Sequence, residues 1–196
     1  GLLTHPTIPP LASGIAVADK IKNVSGKKFI EAFVTGVEIE CKLNEIINPN
    51  HYVKGFHSSG TFGTFGAVTT ASKLLELNEE QYANALGIAV SLAAGIRVNF
   101  GTMTKPLHVG RAAENGVTAA LLAQKGFTAN KEAFDGPWGY IQVAGQTGAP
   151  DPTLATFGEP FSIIDPGVSI KPYPSGVLTH PSMDAMKKIM IDNNIG

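Results

Sequence analysis

Two imidazoles and one ammonium stand in settings that could do chemistry. His57 opens the run His57-Ser-Ser-Gly-Thr-Phe-Gly-Thr-Phe-Gly66, and Lys105 and His108 lie in Gly101-Thr-Met-Thr-Lys105-Pro-Leu-His108. Glycine-rich and threonine-rich backbone beside these cations forms a receptor suited to a small polycarboxylate. Each cluster opens a run of small residues with helical character, Gly60 to Leu75 and Pro106 to Gln124. The polar groups therefore sit at helix starts, where unpaired backbone N–H groups and the positive dipole end favour anions. Pro106 suits a first helical position, which puts Lys105 at the helix mouth. An ammonium there is electrostatically unfavourable, so a compensating anion is expected. His108 follows three residues later, close to one turn, and shares that face.

Each group also has a plainer reading. Gly60, Gly63 and Gly66 recur every third residue but lack the strand, the Lys-Ser/Thr ending and the later acid of a nucleotide loop, so close helix packing is preferred. His57 taken alone reads as a satisfied, partly buried imidazole. Cys41 sits on a predicted helix with no motif around it and reads as structural. His51 falls in a polar stretch after Pro49 and is expected to face solvent. His180, in Thr179-His180-Pro181, echoes Thr4-His5-Pro6, and both read as helix starts. The five histidines show no His-Glu-x-x-His spacing and there is one cysteine. No metal or organic cofactor is expected from these residues.

Four segments together resemble the MmgE/PrpD family, whose members include methylcitrate dehydratases, cis-aconitate decarboxylases and an iminodisuccinate epimerase. They are Leu3-Thr-His5-Pro6, Gly55 through Gly66, Thr104-Lys105-Pro-Leu-His108-Val-Gly110-Arg-Ala-Ala-Glu-Asn115-Gly116, and Lys171-Pro-Tyr173-Pro174. The resemblance implies that His5, His57 and Lys105 are catalytic. Proton chemistry next to a carboxylate needs cations and donors for the developing charge more than it needs a nucleophile. Lys105 is assigned that electrostatic role, and His5 and His57 the acid and base work. Ser59, Thr61 and Thr104 are expected to bind carboxylate oxygens, with Lys171 and His108 holding a remote carboxylate. Metal-independent dehydration of a 2-methylcitrate-like tricarboxylate is the first expectation for the reaction, a lyase step of propionate catabolism. Decarboxylation of cis-aconitate and epimerisation of an iminodicarboxylate are the alternatives, and a helical binding or assembly module is the non-enzymatic one.

By the same resemblance, the chain of 196 residues is less than half of a full family member. An acidic Asp-Phe-Asp-Asp-Thr segment belongs upstream of His5, so the chain by itself is expected to be inactive. The implied fold is mainly α: residues 1–160 form part of an all-helical domain, and residues 161–196 begin a smaller α+β lid domain. A homodimer is implied as well.

Composition narrows the partners. Hydrophobic residues make up 43% and charged residues 16%, which suits helices buried on several sides. A net charge of −1 points to no nucleic acid or acidic membrane. The apolar run from Ala83 to Ile96 is too short and too rich in small polar residues to span a bilayer. The single cysteine fits a reducing, cytoplasmic setting. Helices are expected over Thr7 to Ile21 and Gly26 to Ile47, the latter ended by Asn48-Pro-Asn50. A capping box from Asn78 and Gln81 starts Glu79 to Ile96, and Gly126 ends the helix that begins near Pro106. Phe134 to Tyr140 reads as a turn-rich junction and Gly145 to Gly158 as a linker. Ser162 to Lys171 is a candidate strand, and Pro181 to Ile195 a final helix.

Overall fold

The computed structural model describes residues 3–145 and 156–196. The chain divides into two compact units, one running through Asp165 and the other from Pro166 to Gly196. The first holds seven α-helices among its described residues: α1 (Ile8–Ile21), α2 (Gly26–Ile47), α3 (Asn50–Val53), α4 (Ser58–Leu74), α5 (Glu79–Leu92), α6 (Thr104–Gln124) and α7 (Tyr140–Gly145). The second holds α8 (His180–Asp192).

Helix α4 is the axis of the first unit. Every residue in it except Lys73 is buried, and α1, α2, α5 and α6 all pack on it. Its sequence is more threonine and glycine than leucine, yet it tolerates burial because its hydroxyls are satisfied locally. The Oγ1 atoms of Thr64, Thr69 and Thr70 donate to the carbonyls of Gly60, Phe65 and Gly66, at 3.1, 2.8 and 3.1 Å. Phe62 and Phe65, both fully buried, supply the bulk of the apolar contact. Truncating either to alanine would cost about 3–5 kcal/mol.

Glycines let the other helices approach. At Gly63 an added Cβ would fall 2.5 Å from Pro9 Cγ, and at Gly66 it would fall 2.9 Å from Pro10 Cγ. Gly116 of α6 seats directly on Ala67 and Val68 of α4. The glycine stripe of α4 is thus a packing device. Helix starts follow their side-chain signals. Ser25 caps α2 by accepting from Lys28 N, and Asn78 and Gln81 form the expected capping box on α5. Gly126, at φ +87°, closes α6.

Three expectations change. The stretch 162–171 is not a strand: it forms a kinked turn over Ile163–Gly167, broken at Asp165, whose backbone is extended at φ −139°, ψ 119°. Pro166 has no N–H to give a ladder, Gly167 turns the chain at φ +84°, and no neighbouring strand exists among the described residues. The sole β pairing among them is an isolated antiparallel bridge between Phe56 and Ile96. Helix α6 starts at Thr104, so Lys105 lies within its first turn, because Thr102 turns the chain early: its carbonyl accepts from Lys105 N at 3.2 Å and its Oγ1 from Thr104 N at 3.2 Å. His51 is 1% exposed rather than solvent-facing. Its ring stacks on Phe56 at 4.3 Å, and its nitrogens meet Ala144 O at 3.2 Å and Thr61 Oγ1 at 2.8 Å. A carbonyl only accepts, so Nδ1 carries the proton and Nε2 takes one from Thr61. Both ring nitrogens being satisfied is what permits the burial. The linker expected over Gly145 to Gly158 falls largely outside the described residues.

Candidate active site

Three segments meet at the starts of α4 and α6. His57 is the residue before α4, and its carbonyl accepts from Gly60 N at 2.8 Å and Thr61 N at 3.1 Å. Its own N–H donates to Gly95 O at 3.0 Å, which fastens the start of α4 to the turn between α5 and α6. Gly95 has φ +132° and its Cβ position lies 3.2 Å from the His108 ring. A side chain there would be both strained and obstructed. Gly60 is equally tight: an added Cβ would sit 2.9 Å from Ala94 O and 3.1 Å from His108 Cβ. These two glycines bring α6 close enough for its first-turn side chains to reach His57.

The result is a pair of imidazoles joined ring to ring. His57 Nδ1 and His108 Nδ1 are 3.0 Å apart, so one nitrogen carries the proton and the other accepts it. Phe100 holds the cluster from the side, edge-on to His57 at 4.9 Å and beneath the Lys105 ammonium at 4.7 Å. Burial drives the His57 pKa down to about 4, and the charges of His108, Lys105 and His5 push it the same way. His57 is therefore neutral at pH 7 and stands by the Lys105 ammonium, an arrangement that an anion would relieve.

His5 approaches from the segment before α1. Its backbone N–H donates to Ser59 Oγ at 3.1 Å, and its ring Nδ1 lies 2.8 Å from the same oxygen. The structure thus brings His5, His57, Lys105, His108 and Ser59 together. Thr104 is the first residue of α6, beside Lys105. Thr61 is directed elsewhere: it is 1% exposed and its hydroxyl is engaged by His51. Ser59 spends its hydroxyl on His5, and His108 spends Nδ1 on His57. Lys171 belongs to the second unit, where its ammonium donates to Ser175 O at 3.3 Å.

Three residues near the cluster escape a reading by motif. Phe100 packs against both His57 and Lys105. Arg97 lies over the Tyr52 ring at 3.8 Å and donates to Tyr52 O at 2.9 Å, bracing the turn that carries Gly95. Glu40 is fully buried on α2 and accepts from Thr4 Oγ1 at 2.7 Å, next to His5. The run Arg97-Val-Asn-Phe100 just before Gly101 was the available signal for the first two. Glu40, one acid on a long amphipathic helix, gave none.

The chain belongs to the MmgE/PrpD family: the family's MmgE/PrpD N-terminal domain matches residues 3–153. It is 32% identical to the human (Homo sapiens) cis-aconitate decarboxylase over 95% of this chain and 39% of that protein. It is likewise 32% identical to the mouse (Mus musculus) cis-aconitate decarboxylase over 93% of this chain and 38% of that protein. A cis-aconitate decarboxylase of Aspergillus terreus is 27% identical over 91% of the chain and 38% of its own length. The chain therefore spans about 39% of the length of the human relative. Among the described residues, no helix is long and apolar enough to cross a membrane.

Proposed function

We propose that the intact protein is a lyase that decarboxylates cis-aconitate or a close unsaturated tricarboxylate, using His5, His57 and Lys105. The observation that carries the proposal is the junction itself: a neutral, buried imidazole paired with a second one and flanked by an ammonium and by His5. The names of the relatives move the preferred reading from dehydration to decarboxylation. Loss of carbon dioxide breaks one C–C bond, whose electron pair becomes a new C=C. The displaced π pair takes a proton at the carbon beside a remaining carboxylate. Lys105 and the N–H groups of α6 stabilise the charge building on that carboxylate. An imidazole of the cluster delivers the proton, and substrate carboxylates, by their charge, raise the His57 pKa toward the working range.

Dehydration of a 2-methylcitrate-like substrate calls on the same parts and is the second reading. Supplying the intact protein with cis-aconitate, 2-methylcitrate and iminodisuccinate separates the possibilities by product. Carbon dioxide from cis-aconitate is the expected result, water loss from 2-methylcitrate selects the second reading, and turnover of none overturns both. A homodimer and a cytoplasmic location complete the reading; sedimentation of the intact protein as a monomer would remove the first.

A further inference from the structure

The segment carrying His5 is held at two points. Ser59 of α4 binds His5 itself, through backbone and ring. The preceding residue is held from α2, where Thr4 Oγ1 donates to Glu40 Oε1 at 2.7 Å. Glu40 is 0% exposed, and its second oxygen, Oε2, has no hydrogen-bond partner among the described residues. That oxygen lies against the backbone of Gly66, where an added Cβ would come within 3.0 Å of it. A side chain at position 66 would thus displace the carboxyl.

We infer that Glu40 is a positioning residue for His5, acting through Thr4 and in its neutral form. The inference rests on the assignment of His5 to the active site. An ionised carboxyl with one bare oxygen in this place would bear an uncompensated desolvation cost. Burial accordingly lifts its pKa to about 8, against a smaller opposing effect of the Thr4 hydrogen bond. Surrounding charge offers the ionised form little help. Helix α1 has no ionisable residue before Asp19 and α4 none before Lys73. On α2 itself, Cys41 is neutral, its thiol raised to about 12 chiefly by burial. Glu38 is occupied by the N–H groups of Gly158 and Ser162, at 3.0 and 2.6 Å. Lys42 lies nearer Glu45, at 3.4 Å, and Glu38, at 4.0 Å. From the approaching segment, His5 is the titratable neighbour of Thr4. Ionisation of Glu40 above about pH 8 strengthens the Thr4 hydrogen bond itself but leaves a charged Oε2 bare against Gly66; relieving that oxygen moves the carboxyl and, with it, Thr4 and the His5 turn.

The test is histidine-labelled NMR on the intact protein, with the His5 ring signals followed against pH. The wild type is expected to show an inflection at His5 near pH 8. Glu40→Gln keeps an acceptor for Thr4 but cannot ionise, and the inflection is lost. Thr4→Val removes the donor alone, shifts the His5 signals at every pH and also loses the inflection. An inflection that survives in Glu40→Gln, no inflection in the wild type, or His5 signals unmoved by Thr4→Val would overturn the inference. With cis-aconitate as substrate, the wild-type kcat falls above about pH 8, and that of Glu40→Gln does not. Failure of the protein to turn over cis-aconitate would sink the decarboxylase reading, while the NMR result still decides the role of Glu40.

Discussion

His57 and His108 face each other through their Nδ1 atoms at 3.0 Å, a separation that admits one proton between the two rings. Protons on both Nδ1 atoms would set two donors against each other, and two like charges as well once both rings are cationic. The charge state of His57 is therefore tied to its neighbours as well as to its burial. In an NMR titration His57 is expected to protonate near pH 4, and both His108→Asn and Lys105→Met should move that value upward. A His57 pKa indifferent to both substitutions would contradict the arrangement.

Stability should fall on acidification. Burial is the largest cause of the depressed pKa of both His51 and His57, each pushed from 6.5 to about 4. Between those values the unfolded chain binds more protons than the folded one, so stability rises with pH across the window and is lost as pH drops through it. Melting temperatures measured from pH 7 to pH 4 should show a shallower decline for His57→Gln than for wild type. Parallel curves would mean that His57 does not titrate as described.

The contact between α4 and α6 makes a paired prediction. An added methyl at Gly116 would meet Ala67 Cβ and Val68 N, both at 2.5 Å, so Gly116→Ala should cost about 1–3 kcal/mol in urea unfolding. Gly110, on the same helix, has nothing within 4 Å of the equivalent position. Gly110→Ala should instead stabilise the chain by about 0.4–1 kcal/mol. Equal effects at the two sites would show that the helices are not packed as described.

Helix α5 depends on its first turn. Asn78 Oδ1 accepts from Gln81 N at 2.9 Å, and Gln81 Oε1 accepts from Asn78 N at 3.1 Å. Asn78→Ala is expected to lower stability by about 1 kcal/mol, read by the same unfolding assay. No loss would mean that the box contributes nothing to folding.

The helices and the cluster were legible for different reasons. Helix spans followed from punctuation: Asn48-Pro49, Asn78 and Gly126 mark their ends in any context, and α2 runs over the expected residues. His57 and Lys105 were legible as a pair because both stand at helix starts. What escaped was partner choice. His108 was expected to hold a distant carboxylate, but Gly60 and Gly95 admit its ring to within reach of His57, a consequence of packing between helices far apart in sequence. His51 looked like a loop residue because Pro49 and Asn50 flank it. Its burial depends on Thr61 and Ala144, one of them 93 positions away. The alternation over 162–171 suggested a strand, but alternation needs a partner strand to become one, and Asp165-Pro166-Gly167 turns the chain instead. Glu40 was invisible for the same physical reason: a lone carboxyl declares itself only through what surrounds it.

Lys105→Met provides the most direct measurement of the central claim that these groups form one polycarboxylate site. Carbon dioxide release from cis-aconitate by the intact protein should fall in kcat/KM by about 10²–10³-fold, the usual loss when one charge-stabilising donor is removed. The stabilisation of the protein against heat by citrate should disappear in the same variant. Unchanged turnover and unchanged citrate stabilisation in Lys105→Met would contradict the account.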